Sequence, residues 1–150
     1  MYLIRLSFNE MKSKLSEFDV AFYASLDEKV GNTIVMVDPV RLKQVLYNLL
    51  SNAIKFTHDG YINFGYRLVE KSMLEFWVKD TGVGIPAEQL SSMFERFRQA
   101  EHSDHKRYGG TGLGLSISKN LCQLMGGDMY AESIEGEGST FYFTIPYFNK

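Results

Sequence analysis

Asp38-Pro39-Val40-Arg41-Leu42-Lys43-Gln44-Val45-Leu46-Tyr47-Asn48-Leu49-Leu50-Ser51-Asn52-Ala53-Ile54-Lys55-Phe56-Thr57 carries two superimposed patterns. The first is structural. Asp38 offers a side-chain acceptor to the free N–H groups of a helix start, and Pro39 brings a preset helical φ to the first turn. Leu42, Val45, Leu46, Leu49, Leu50, Ala53 and Ile54 then recur at helical spacing, a single apolar stripe at about 100° per residue. The segment predicts a helix ending near Thr57, where His58-Asp59-Gly60 reads as a turn. The second pattern is chemical. Asn48 and Asn52 lie four residues apart and Lys55 three beyond, on one narrow arc beside the stripe. Two amide oxygens and an ammonium aimed together suit a magnesium-bound polyphosphate, because magnesium prefers oxygen ligands and a lysine acts on phosphate as a point charge. The plain alternative is a solvated helix face. Asparagine is a mediocre helix former, so two in mid-helix point to a use.

Outward from this helix, the chain alternates between strand and helix signals. Upstream, Val20 to Leu26 and Thr33 to Val37 are β-branched and apolar and predict strands. Tyr2 to Leu6 reads as a short edge strand and Asn9 to Phe18 as a short amphipathic helix. Downstream, Ile62, Phe64, Tyr66 and Leu68 alternate with Tyr61, Asn63, Gly65 and Arg67. Leu74, Phe76 and Val78 alternate likewise with Glu75, Trp77 and Lys79, which predicts an antiparallel pair joined at Glu70-Lys71-Ser72. Ala87 to Phe97 reads as helical, and Gln99 to Gly110 as a polar, unpatterned loop. Leu113, Ile117, Leu121 and Leu124 mark another helix ended by Gly126-Gly127. Met129 to Ser133 and Ser139 to Pro146 are the last two strands. These elements predict an α+β fold, a two-layer α/β sandwich whose mixed sheet of about five to seven strands is covered on one face by about three helices.

Composition narrows the function classes. The chain has 150 residues, the length of one domain, and 45% of them are hydrophobic, enough for a single core. Sixteen basic and eighteen acidic residues leave a net charge of −2, which gives no pull toward nucleic acid and no polybasic membrane signal. The one cysteine, Cys122, excludes an internal disulfide and a cysteine metal cluster. No apolar run approaches the roughly 18 residues of a spanning helix. A cytoplasmic location is expected, with no direct membrane contact by this domain and a parent protein that could be anchored in an inner membrane.

Two glycine loops complete the chemistry. Asp80-Thr81-Gly82-Val83-Gly84-Ile85-Pro86 follows a strand, and its glycines let backbone approach a flat ring closely. A buried carboxylate at Asp80 can accept a hydrogen bond from the exocyclic amine of adenine and would repel the carbonyl of guanine. The same stretch formally matches a dinucleotide fingerprint at Gly82, Gly84 and Ala87, but Pro86 interrupts the turn and no parallel strand follows. Gly109-Gly110-Thr111-Gly112-Leu113-Gly114-Leu115-Ser116 runs straight into a helix, where free N–H groups and the positive dipole end suit a phosphate. No Walker sequence occurs. Gly136-Glu137-Gly138-Ser139-Thr140 is a third candidate, equally a hairpin turn and a nucleotide contact.

Taken in order, these stretches resemble the motif boxes of sensor histidine kinases. Asn48 to Thr57 looks like their N box, Asp80 to Pro86 their G1 box, Phe94-Glu95-Arg96-Phe97 their F box, and Gly110 to Gly114 their G2 box. The resemblance covers roughly residues 33 to 146. It implies the Bergerat ATP-binding fold, ATP and Mg2+ as ligands, and transfer of the γ-phosphoryl group to a histidine in two-component signal transduction. By position, Asn48 and Asn52 would serve the metal and Lys55 the phosphates, with Phe56 beside them. Asp80 would read adenine, Gly82, Gly84 and Ile85 would line the ring, and Gly110, Thr111, Gly112, Leu113, Gly114 and Leu115 would face the phosphates. Thr140 is added from the third glycine stretch. Phe94 and Phe97 would anchor a lid of about Gln99 to Gly110, Arg98 would reach the terminal phosphates, and Lys106 and Arg107 are weaker candidates for the same role.

The wider superfamily includes hydrolysing members that carry a glutamate four residues before the metal asparagine. Asn48 stands at that place here and cannot take a proton, which favours phosphoryl transfer over hydrolysis. The phosphoacceptor itself is missing. His58, His102 and His105 are the only histidines, and none sits in an acceptor helix. A metal site from His102, Asp104 and His105 is the lesser reading of that pair. The resemblance therefore implies a histidine-containing dimerisation domain in the same parent chain, with residues 1–18 leading in from it and residues 19–150 forming the catalytic domain. It also implies a downstream response regulator receiver domain as partner, and a monomer for the isolated domain. An ATP-binding regulatory module, or a serine kinase of the same superfamily, is the alternative.

Overall fold

The computed structural model describes residues 13, 20–26, 37–70, 72–95 and 114–146. The first strand, β1, is Val20–Leu26. Helix α1 is Pro39–Phe56, and it begins as its sequence requires: the Asp38 carboxylate accepts from Val40 N–H at 3.0 Å and Arg41 N–H at 3.2 Å. Strands β2 (Gly60–Val69) and β3 (Met73–Asp80) follow. The short α2 is Ala87–Leu90, and α3 is Gly114–Leu124. Strands β4 (Met129–Ile134) and β5 (Gly138–Pro146) close the fold.

The five strands form one sheet in the order β1-β2-β3-β5-β4. β1 runs parallel to β2, and every other neighbouring pair is antiparallel. The parallel pair follows from α1, since a parallel return needs a crossover long enough to cross the sheet. The fold is thus α+β with a mixed five-stranded sheet, as the patterning predicts. The helices lie on one face. There Leu42, Val45, Leu46, Leu49, Leu50 and Ala53 of α1 are all buried, packed with Ile62, Phe64, Tyr66, Leu74, Phe76, Val78, Phe141, Phe143 and Ile145 of the sheet. Phe76 and Phe143 stack with centroids 4.7 Å apart across the two central strands.

Some expectations shift. The helix predicted over Ala87 to Phe97 is one turn, Ala87–Leu90, continuing as turns to Phe94. No acceptor side chain caps it, and its residues are at most half-buried, so little holds a longer helix in place. The strand predicted at Tyr2 to Leu6, the helix at Asn9 to Phe18 apart from Ser13, most of Thr33 to Val37, and the loop Gln99 to Gly110 lie outside the described residues. Among the described residues, no helix is long and apolar enough to cross a membrane.

Candidate nucleotide site

Strand alternation builds the site. On β3, Leu74, Phe76 and Val78 face the helices, and Asp80 is the next residue on that same face. Its carboxylate is therefore carried to the apolar side of the sheet, where it is 6% exposed. Gly82 N–H donates to Asp80 Oδ1 at 2.9 Å. Burial pushes the Asp80 carboxyl above the ordinary carboxylate range, outweighing the backbone N–H groups of Gly82 and Ser139 that favour its charged form.

Asp80 lines a partly open cavity beside the end of β3. The other walls are Asn52 and Phe56 from the last turns of α1, Val83, Gly84 and Ile85, Met93, and Ser139 and Phe141 of β5. Apolar walls with a few converging polar groups are what a flat heterocycle bearing an exocyclic donor requires. Two glycines make the enclosing loop possible. A Cβ on Gly82 would lie 2.3 Å from the Phe56 carbonyl oxygen, and Gly84 has φ +68° with the Ile134 carbonyl 2.1 Å from where its Cβ would stand. The loop is stitched on both sides: Val83 N–H donates to Phe56 O at 3.3 Å, Ile85 N–H to Ser133 Oγ at 2.7 Å, and Gly136 N–H to Val83 O at 2.8 Å.

One turn back along α1, Asn48 is tied to α3. Its Nδ2 donates to Ser118 Oγ at 2.9 Å and to the Gly114 carbonyl at 3.3 Å. Lys55 is exposed, its ammonium 5.7 Å from the centroid of the Phe56 ring. Phe94 packs edge-on against Phe141, centroids 6.2 Å apart, and Lys119 Nζ stands 5.0 Å from the Phe94 ring. Among the described residues, no group of three or more His, Cys, Asp or Glu could hold a metal ion.

The fold thus brings Asn52, Phe56, Asp80, Gly84 and Ile85 to one cavity, with Gly82 in its enclosing loop. Leu115 does not reach it as a side chain; it is a core residue, 5% exposed. Gly114 enters through its carbonyl, as the acceptor of Asn48. Thr140 does not join the cavity either. On β5, Ser139, Phe141, Phe143 and Ile145 face the helices, so Thr140 lies on the opposite face and Ser139 occupies the place expected for it. Arg98, Gly110, Thr111, Gly112 and Leu113 lie outside the described residues, as do Phe97, His102, Asp104, His105, Lys106 and Arg107. Met93 and Phe141 are lining residues that the motif reading misses, and Val83 and Ser139 lie within its glycine stretches without an assigned role. Alternation along β5 puts Ser139 and Phe141 on one face, but which face is inward is fixed only by the register that pairs Ser139 with Asp80.

Comparison with known proteins agrees with this geometry. Residues 37–149 match the family described as histidine kinase-, DNA gyrase B-, and HSP90-like ATPase. Hybrid signal transduction histidine kinase B of Dictyostelium discoideum is 49% identical over 117 residues, covering 75% of this chain and 6% of its own length. Sensor histidine kinase WalK of Bacillus subtilis is 39% identical over 133 residues, covering 87% of this chain and 21% of its own length. The chain therefore spans only a small part of the curated relatives it matches. Among solved structures, a nucleotide-free form of the catalytic domain of histidine kinase ThkA has a TM-score of 0.81 at 30% identity, over 97% of this chain and 92% of that one. Full-length ShkA in complex with AMPPNP has a TM-score of 0.80 at 27% identity, over 99% of this chain and 30% of that one. The chain belongs to the histidine kinase-, DNA gyrase B-, and HSP90-like ATPase family, as a catalytic domain of the sensor histidine kinase kind.

Proposed function

We propose that the cavity takes the adenine of ATP and that the chain serves as the phosphoryl-donating half of a histidine kinase. The observation that carries this reading is the buried Asp80 carboxylate, set among apolar walls at the end of β3 in a cavity that Asn52 of α1 also lines. A fixed acceptor in that position selects a ring bearing an amine and leaves two acceptors facing each other when the ring bears a carbonyl. ShkA, similar over nearly all of this chain, was solved with AMPPNP, which supports a nucleotide at the equivalent place.

The donor set fits magnesium in kind. Asn48 has given its amide hydrogens to α3, so its oxygen is the end left for a ligand, and Asn52 offers a second amide oxygen one turn on. Held by Asn48 and Asn52, magnesium would supply neutralisation of phosphate charge. Lys55 adds a mobile ammonium beside the phosphates, and Arg98 and the glycine stretch Gly110 to Gly114 complete the cradle. In the transfer itself, a histidine nitrogen attacks the γ-phosphorus, the bond from that phosphorus to the β,γ-bridging oxygen breaks, and ADP leaves. The acceptor's proton passes to a base outside this chain, because Asn48 cannot accept it. Catalysis by these residues is positioning and charge stabilisation.

The acceptor histidine belongs to a dimerisation domain of the parent chain, reached through residues 1–18, and the phosphoryl group then passes to a receiver domain. Residues 19–150 form the nucleotide-binding unit, which acts as a monomer. Calorimetric titration with ATP and magnesium tests the core of this reading. Saturable one-site binding of ATP, with none of GTP, is expected. Equal binding of the two nucleotides would remove Asp80 from its role, and absence of ATP binding at millimolar nucleotide would overturn the reading.

A further inference from the structure

Asn48 and Ser118 are separated by 70 positions, yet they are joined by a 2.9 Å hydrogen bond between α1 and α3. Ser118 is fully buried, at 0% exposure, in a helix face otherwise filled by apolar side chains such as Leu115 and Cys122. A buried hydroxyl at a core position needs a partner, and Asn48 supplies it. The bond also fixes the amide. A primary amide has two N–H donors and one carbonyl oxygen, and only the oxygen has lone pairs for a cation. Turned by half a revolution, the same side chain would present hydrogens to the metal and repel it.

We propose that Ser118 is a positioning residue for metal-dependent nucleotide binding: with the Gly114 carbonyl it receives the Asn48 Nδ2 group on α3 and so holds the Asn48 oxygen toward the magnesium side. The proposal rests on the reading of Asn48 as a magnesium ligand. The Gly114 carbonyl, 3.3 Å away, can only accept and so sets which end of the amide faces α3, and the Ser118 hydroxyl, the shorter contact at 2.9 Å, anchors that end there. The two acceptors lie four residues apart on α3, which places them on one face of the helix, opposite the amide. The start of α3 is also where the phosphate-facing glycine stretch ends. One side chain thereby ties the metal arc of α1 to the phosphate end of α3. Outer-shell partners of this kind typically govern metal affinity by roughly 10- to 100-fold.

The test is the ratio of ATP affinity measured calorimetrically with and without Mg2+, in the 150-residue chain and in Ser118→Ala. Alanine keeps the volume and removes only the hydroxyl. The expected result is a ratio reduced roughly tenfold or more in Ser118→Ala, with magnesium-free ATP affinity unchanged. Superimposable ratios in the two proteins would overturn the proposal. Asn48→Ala separates this failure from failure of the metal reading: if wild-type binding is independent of magnesium, or Asn48→Ala leaves the ratio intact, Asn48 is no ligand and the proposal falls with it. A measurement without metal or activity completes the test. In the nucleotide-free protein, the Asn48 side-chain amide protons should be protected from solvent exchange and should lose that protection in Ser118→Ala. Fast-exchanging protons in the wild type would overturn the fixed orientation directly.

Discussion

Asp80 shows how a single residue can be set against the stability of its own fold. Its carboxyl is nearly inaccessible, and the charge that binding requires has only backbone N–H groups to offset lost hydration. Because burial raises the folded-state pKa above the ordinary 3.8, the folded protein holds the Asp80 proton more tightly than the unfolded chain does. Below 3.8 the group is protonated in both states and costs nothing; as pH rises through the folded pKa, stability is lost, and the loss is complete above it. Asp80→Asn removes the ionisation. The variant should melt at or above the wild-type temperature at pH 7, and the difference should close as pH falls toward 4. ATP binding should move the other way, weakening roughly 10- to 100-fold for loss of a hydrogen bond to a charged group. Thermal melts of both proteins across pH, run beside the binding titration, check this. A variant that is clearly less stable at neutral pH would mean that the N–H groups of Gly82 and Ser139 outweigh the burial.

At the scale of elements, the segment 80–86 behaves as a clamp between the end of α1 and the β4–β5 hairpin, held by bonds from Val83, Ile85 and Gly136. Gly84→Ala tests how rigid that clamp is. The left-handed backbone alone costs roughly 1–3 kcal/mol with a side chain, and the Ile134 carbonyl must also move aside. Chemical denaturation should show at least that loss, and ATP affinity should fall with it, since Val83 and Ile85 line the cavity. What could be read from sequence follows the same division. Helix α1 was legible because its cap, its stripe and its asparagine arc are all local: the six buried apolar residues of α1 are all among the seven that the spacing selects. The β2–β3 pair was legible for the same reason. The phase of β5 was not, because both of its faces carry aromatics. Phe141 and Phe143 go inward, while Tyr142 stacks on Tyr130 outside at 4.7 Å. Composition therefore could not tell Ser139 from Thr140 as the inward residue. The link from Asn48 to Ser118 leaves no local trace at all.

Across the whole molecule, the two faces of the sheet are stabilised differently. The helix side is an apolar core. On the opposite side, Glu75 is buried beneath its neighbours, taking hydrogen bonds from Arg67 at 2.8 and 2.6 Å and from the Tyr130 hydroxyl, while Trp77 Nε1–H donates to Asn63 at 2.8 Å. The core and the nucleotide cavity share α1, β3 and β5, and α3 is bonded to α1 through Asn48 and Ser118, so opening one should open the other. Cys122 can report this, being the only cysteine in the chain and at 0% exposure on α3. Burial, aided by the charge of Asp128, pushes its thiol up to about 12, so in the folded protein almost no thiolate exists at neutral pH and no reagent can reach it. Labelling by a thiol-reactive probe should then proceed only through molecules that have unfolded around α3. A ligand that binds the folded state alone lowers that population by mass action, by about 100-fold when ATP stands at 100 times its Kd. Labelling of Cys122 in native buffer should therefore be slow and should slow by about two further orders of magnitude at that ATP level, provided reclosing outpaces the probe. Labelling that ignores ATP would show α3 opening locally while the cavity stays formed, and the core and the site would then be separate cooperative units.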